Sequence, residues 1–400
     1  MIRELKMGDF ETGFAAGLII GSSNKSGDTP TPEPTPEKWT YPSNWLQLPE
    51  PAENQIVMLV DNNGGIINQG TYYLFAPNIT YETDTNTTIN YGDGTGELPI
   101  DHVNTDKSTS WIENIYGHIY EAGSGHNTGN SEQWIVTITF DTSKEIGTEY
   151  FYKLINYTYS PTAKMPVLAI KIGHSGYIGN RSNTGSYNLD CSGNLQYAKI
   201  CHGDFDFYFS YAHYLHKVEL HDEITNLPQM AFQNCYGLFD INLDNITEIG
   251  QFAFYNCRCL DPSGKMPNLT TIGNQAFAFT GITNLDFPRL ETIGSSAFYY
   301  TVDFKKITLA PETLTSIGVN TFTNCIALEA VNLPYVTSAG NTAFSSCTNL
   351  KTVDLRSCES FGTNVFQTDY NLSKCVLKSG VDITGQFSSC PNVEIEYMEV

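Results

Sequence analysis

Leu328-Glu329-Ala330-Val331-Asn332-Leu333-Pro334, followed by Ser338-Ala339-Gly340-Asn341-Thr342-Ala343-Phe344-Ser345-Ser346-Cys347, is the stretch whose reading decides the fold. The same phrase returns 22 residues later as Leu350-x-x-Val353-x-Leu355, Gly362 and Phe366. Upstream it appears as Leu238-x-x-Ile241-x-Leu243, Ile249-Gly250, Ala253-Phe254 and Cys257. Between these lie Ile272-Gly273 with Ala276-Phe277, Ile293-Gly294 with Ala297-Phe298, and Ile317-Gly318 with Phe322 and Cys325. Self-similarity at a period in the twenties is the mark of a solenoid, and about eight copies run from His213 to the C-terminus.

Each recurring residue has a physical role in that reading. Apolar residues at positions 1, 4 and 6 point inward around a short strand that adds to a parallel sheet. The recurring glycine turns the chain where a side chain would clash or where φ must be positive. Phe254, Phe277, Phe298, Phe322, Phe344 and Phe366 are expected to stack as a spine. Three residues after the repeat's Phe stand Cys235, Cys257, Cys325, Cys347 and Cys390, and in other copies Thr280, Thr301 and Asp369. A position that accepts Cys, Thr or Asp is a small buried site whose polar atom pairs with backbone, so these thiols are expected to be unbridged. Cys191, Cys201, Cys259, Cys358 and Cys375 lie off register, and one pair among them is left open to bridge. Asp261-Pro262-Ser263-Gly264 breaks the strand of the third copy, and the sheet is expected to be irregular there.

The same register names an outward column, because side chains along a strand alternate in direction. Glu219, Asn242, Asp286, Thr308, Asn332 and Asp354 are the candidate ligand-binding residues, with Lys306 in the neighbouring column beside Lys217, Asp240 and Asn284. Such a polar, mildly acidic surface on a rigid frame suits recognition of a partner.

The unit L-x-x-I-x-L-P-x-x-[TV]-x-x-I-G-x-x-A-F-x-x-C resembles the BspA-like leucine-rich repeat over about 190 residues. The resemblance implies a solenoid of the kind found on microbial surface proteins that bind host proteins or other cells.

Upstream, the text changes character. Residues 1–20 place Met7, Phe10, Phe14 and Leu18 on one helical face, a candidate attachment or self-association segment. Residues 21–38 (GSSNKSGDTPTPEPTPEK) form a proline-rich linker that cannot pair as a strand. Residues 39–158 are short β runs between Gly, Asn and Asp turns, among them Ile56–Val60, Thr71–Ala76, Ile79–Thr83 and Trp134–Phe140. Ile89-Asn90-Tyr91-Gly92-Asp93-Gly94-Thr95, His118-x-Tyr120-x-x-Gly123 and Val136-Thr137-Ile138 resemble the polycystic-kidney-disease (PKD) repeat, which implies an immunoglobulin-like sandwich. Ile89 replaces that family's usual Trp, and Ser124–Gln133 is an insertion. Residues 159–212, with a strand over Pro166–Gly173, are expected to connect the two parts and cap the solenoid. The fold class is therefore mainly β, a PKD-like sandwich followed by a leucine-rich-repeat solenoid over residues 213–400.

A net charge of −22 argues against nucleic acid or an anionic membrane as partner. No apolar run approaches the ~18 residues of a membrane span. His213, His216 and His221 with Asp222 form a paper metal cluster, but no helix or strand register makes them converge, and neither metal nor other cofactor is expected. Nucleophile-elbow, Walker and HExxH motifs are missing from the sequence, so no catalytic residue is assigned and a non-enzyme is expected. The leading expectation is an extracellular or cell-surface adhesion protein recognising a host-cell protein or glycan. The alternative is a phage or prophage virion component, a tail-fibre or receptor-binding protein attached through its N-terminal segment.

Overall fold

The computed structural model describes residues 40–61, 72–75, 88–99, 118–121, 125–128, 132–139, 167–173, 195–203, 209–261, 266–308 and 312–399. Among them the chain is all strand and turn, with no helix. The N-terminal segment, the proline linker, Ile79–Thr83 and the side chains of the His118-x-Tyr120 strand lie outside the described residues.

From residue 209 onward the chain winds as a β-solenoid of about eight turns. One side of each turn is the expected strand, and these strands pair in parallel and in register. Asn284, Lys306, Ala330, Thr352, Lys374 and Glu394 lie side by side across six strands. A second side carries two-residue strands ending at the Ile of Ile-Gly, such as Glu248–Ile249, Thr271–Ile272 and Thr292–Ile293, again parallel. Leu328, Val331 and Leu333 (positions 1, 4 and 6) are buried, as are Leu350, Val353 and Leu355.

The third side is the edge around the recurring Phe. There the Phe252, Phe254 and Asn256 N–H groups donate to the Asn274, Ala276 and Ala278 carbonyls of the next turn. Reaching that alignment puts two residues per turn at positive φ, for example Asn320 (55°) and Asn324 (61°). Asparagine tolerates this conformation best among residues with a side chain, and it recurs there at Asn234, Asn256 and Asn364. The recurring glycines sit elsewhere and are needed for space. A Cβ on Gly273 would lie 2.5 Å from the Gln251 nitrogen, and one on Gly294 2.4 Å from the Asn274 nitrogen.

A column of rings runs through the core of the repeats. Phe209, Phe232, Phe254, Phe277, Phe298, Phe322, Phe344, Phe366 and Phe387 stack with centroids 5.1–5.8 Å apart and planes within 1–12°. Beside it runs a ladder of donors. Cys235, Cys257, Cys325 and Cys347 each point their thiol at the Phe carbonyl of the preceding turn, at 2.9–3.1 Å, and Cys390 does so at 3.5 Å. The Thr301 hydroxyl makes the same bond at 3.0 Å, while Thr280 bonds the Phe carbonyl of its own turn. All nine described cysteines are free thiols. Cys191 lies outside the described residues.

At the third copy the strand face is interrupted. The outward sheet ends at Asp240–Ile241 and a new one begins at Asn284–Asp286. Asp261 accepts the Thr283 hydroxyl at 2.9 Å, so a side-chain bond spans turns where strand pairing is missing.

The N-terminal part joins the solenoid through one sheet. Gln55–Asp61, buried from Ile56 to Asp61, is flanked by Glu132–Thr139 and Val167–Ile172, both antiparallel to it. Val167–Ile172 then pairs in parallel with Tyr197–Ile200, which pairs in parallel with Lys217–Glu219 of the first repeat. The order continues beyond Glu132–Thr139 to Thr88–Asn90 and Glu97–Pro99. Between those two strands Asp93 accepts the Thr95 N–H and hydroxyl, which closes the expected Asp-Gly turn. Tyr72–Phe75 and His118–Glu121 form a separate antiparallel pair. Lys38–Val400 is one compact unit.

Truncating Phe344 to Ala is expected to destabilise the protein by about 3–5 kcal/mol in denaturant titrations, as a buried ring deletion does. Gly273→Ala should cost about 1–3 kcal/mol, because backbone rather than a movable side chain blocks the methyl. Alkylation of the unfolded, unreduced chain should label every described thiol, whereas the native chain should react first at the exposed Cys259. Cys325→Thr should keep stability within error, while Cys325→Val, which lacks a donor, should lose about 1 kcal/mol.

Candidate outward-face binding site

The outward face of the strands is set by register. Lys171 aligns with Lys199, and Lys199 with Glu219. One column over, Tyr197, Lys217 and Asp240 align. The predicted column thus extends two strands upstream of the first expected repeat. The reason is legible in hindsight: Leu195-x-x-Ala198-x-Ile200 and Val167-x-x-Ile170-x-Ile172 carry the same 1, 4, 6 spacing, and all six residues are buried.

Where the columns begin, the segment before the first strand folds over the sheet. Tyr41, Trp45, Leu46 and Leu48 pack on Val57, Leu59, Ala169 and Tyr197. Glu50, at the end of that segment, bonds Lys171 at 2.8 Å and Lys199 at 2.9 Å. Its carboxyl is drawn down to about 2 by hydrogen bonds from these two lysines. The Lys217 ammonium lies 3.0 Å from Glu219 and 3.6 Å from Asp240. Glu50, Lys199, Lys217, Glu219 and Asp240, with Cys201, His221, Asp222 and Asn242, line a cleft of about 550 Å³. Burial holds the Cys201 thiol up at about 11, so at neutral pH it is protonated and a poor nucleophile. The cleft therefore presents paired, hydrogen-bonding charges on a sheet floor.

The candidate residues fare differently. Glu219 and Asn242 meet at this cleft. Asn242 is engaged with the fold: its amide accepts from the Leu220 N–H at 2.7 Å and donates to the Leu220 carbonyl at 2.9 Å. Asp286, Thr308, Asn332 and Asp354 align in the second sheet, across the break at the third copy. Asn332 is exposed. Asp354 is tied to Arg356, whose Nε donates to it at 3.0 Å. The backbone places Lys306 beside Asn284 and Ala330, while the side chains of Asp286, Lys306 and Thr308 lie outside the described residues. Glu50, Lys171 and Lys199 were not among the sequence candidates. Glu50 in particular had no sequence signal, since its partners lie 121 and 149 residues away.

The histidines take separate positions. His213 stacks on Tyr236 with centroids 4.6 Å apart, and His216 lies against Phe239. Burial lowers both pKa values, which favours neutral imidazoles. Among the described residues no group of three or more His, Cys, Asp or Glu side chains is placed to hold a metal, and no helix is long and apolar enough to cross a membrane.

No curated protein matches the chain. Among solved structures, a leucine-rich repeat protein from Bacteroides ovatus is 17% identical, with 65% of this chain and 75% of that one covered and a TM-score of 0.37. A leucine-rich repeat protein from Eubacterium ventriosum is 16% identical, covering 59% and 82%, at 0.34. A leucine rich cell surface protein from Faecalibacterium prausnitzii is 19% identical, covering 58% and 90%, at 0.26. Residues 205–300 and 291–399 match the BspA type leucine rich repeat region in six copies, and it is to this family that the repeat half of the chain is similar.

Proposed function

We propose that this chain is a non-enzymatic binding protein of the cell surface or extracellular space, which recognises a host-cell protein or glycan on the outward strand face. The observation that carries the reading is the register of that face. From Lys171 to Glu219, and again from Asp286 to Asp354, polar residues stand in register on neighbouring strands. Rigid parallel strands lower the ordering cost of binding, which favours affinity without large movements. The BspA-type match supports an interaction role for the repeats. In this reading residues 39–158 are a PKD-like, immunoglobulin-like sandwich that holds the repeats away from an attachment point near residues 1–20, with residues 21–38 as spacer.

The test uses exposed outward residues free of the Arg356 tie. Asn332→Lys with Thr352→Lys should lower binding to host cells, or capture from their extracts, at least tenfold, about 1.4 kcal/mol. The melting temperature should stay unchanged, because both residues are exposed. Thr292→Lys with Ser316→Lys adds the same charge on the second face, where both positions are also exposed, and should leave binding intact. Loss of binding in the second pair and retention in the first would place the ligand on the other face. Ser345 is unsuitable as a control, since it is buried and its hydroxyl bonds the Gln367 carbonyl.

A further inference from the structure

Asp369 stands in the donor ladder where neighbouring turns have Cys347 and Cys390. It is fully buried. Its Oδ1 accepts the Cys347 N–H at 2.7 Å. Its Oδ2 is buried with no hydrogen-bond partner. The Phe carbonyl of the preceding turn, to which this ladder position donates, belongs here to Phe344. That oxygen accepts the Cys347 N–H at 3.3 Å and keeps a second lone pair. A carboxylate can only accept, whereas a carboxylic acid has one O–H to give.

We propose that Asp369 is held as a neutral carboxylic acid in the folded chain, supplying through Oδ2–H the donor that thiols supply in neighbouring turns, and that its ionisation loosens the C-terminal turns. The burial and the unpaired Oδ2 support this. An unpaired carboxylate oxygen in a ring-lined core is costly, and neutralisation is how buried acids avoid that cost. That same burial raises the Asp369 pKa from the ordinary 3.8 to about 8, against the lowering effect of the Cys347 and Ser346 N–H groups. The titratable groups that face it are the Cys347 and Cys390 thiols. Burial keeps both protonated at neutral pH, so neither supplies a compensating charge.

The sign follows from linkage. Between about pH 4 and pH 8 the folded chain holds a proton that the unfolded chain has released, so stability falls as pH rises through that window. Each pH unit within it shifts the folding equilibrium by up to about tenfold. The effect is local to the C-terminal end, where the ladder finishes at Cys390 and Gln386 closes the turn by accepting the Val365 N–H and donating to the Gly362 carbonyl. Slightly alkaline conditions would therefore open the last turns of the solenoid first.

The experiment follows the Asp369 carboxyl carbon by NMR through pH 3–10, and denaturant unfolding with hydrogen exchange of residues 344–390 at pH 5 and pH 8.5. Asp369→Asn keeps the acceptor and puts an N–H donor where the acid has its O–H. The expected result is a carboxyl that titrates near 8, a wild-type chain that loses protection at pH 8.5, and an Asn variant that loses at least tenfold less. Titration of the wild-type carboxyl near 4, or an equal pH response in both chains, overturns the proposal. Should the Asn variant not fold, Asp369→Cys, the residue of neighbouring turns, takes its place, and the wild-type titration decides independently.

Discussion

Everything in the repeat half depends on how closely one turn can lie on the next. That spacing is set where backbone meets backbone at the recurring glycines, and a methyl there would fall 2.4–2.7 Å from main-chain atoms of the preceding turn at Gly250, Gly273, Gly294, Gly340 and Gly362. With the turns that close, three ladders close together: the parallel strands, the edge around the Phe residues, and the ring stack. Rings stacked at 5.3–5.5 Å along Phe254, Phe277, Phe298, Phe322 and Phe344 run down the interior. Interaction energy is therefore passed between nearest neighbours, as in other one-dimensional folds.

A stack of this kind has ends, and its ends would expose strand edges and apolar rings. The N-terminal end is closed by continuity. Tyr197–Ile200 and Val167–Ile172 continue the strand face directly into the antiparallel strands of the N-terminal region. That junction also creates a cleft on the outward face, where Glu50 stands beside Lys199 and Lys217. Capping and site formation are consequences of the same packing event. Glu50 itself is exposed, so its ion pairs with Lys171 and Lys199 are partly screened by solvent and contribute little to stability, and their effect is to fix where charges stand.

The donor ladder shows how a repeat can tolerate different residues at one place. What the position requires is a small side chain that offers a proton to a carbonyl of the stack. Cys325 meets that need with a thiol and Thr301 with a hydroxyl, at nearly equal distances of 3.1 and 3.0 Å. Apolar burial and a satisfied carbonyl are both met without a bridge, so the cysteine content of the repeats reports packing and not oxidation.

The sequence by itself determined the solenoid, its register, the inward Leu and Ile positions, the Phe spine and the chemistry of the Cys/Thr/Asp column. Each is a local property repeated many times, so periodicity exposes it. Asp261-Pro262 likewise announced the break in the strand face, because proline cannot donate to a ladder. Only the tertiary structure decided that the glycines serve close approach while Asn320, Asn324 and their equivalents take the positive φ angles. It also decided that Asn242 and Asp354 are engaged by Leu220 and Arg356, and that Glu50 meets Lys171 and Lys199. These are pairings between residues that no period relates, or between a side chain and a backbone whose position follows only once the turns have stacked.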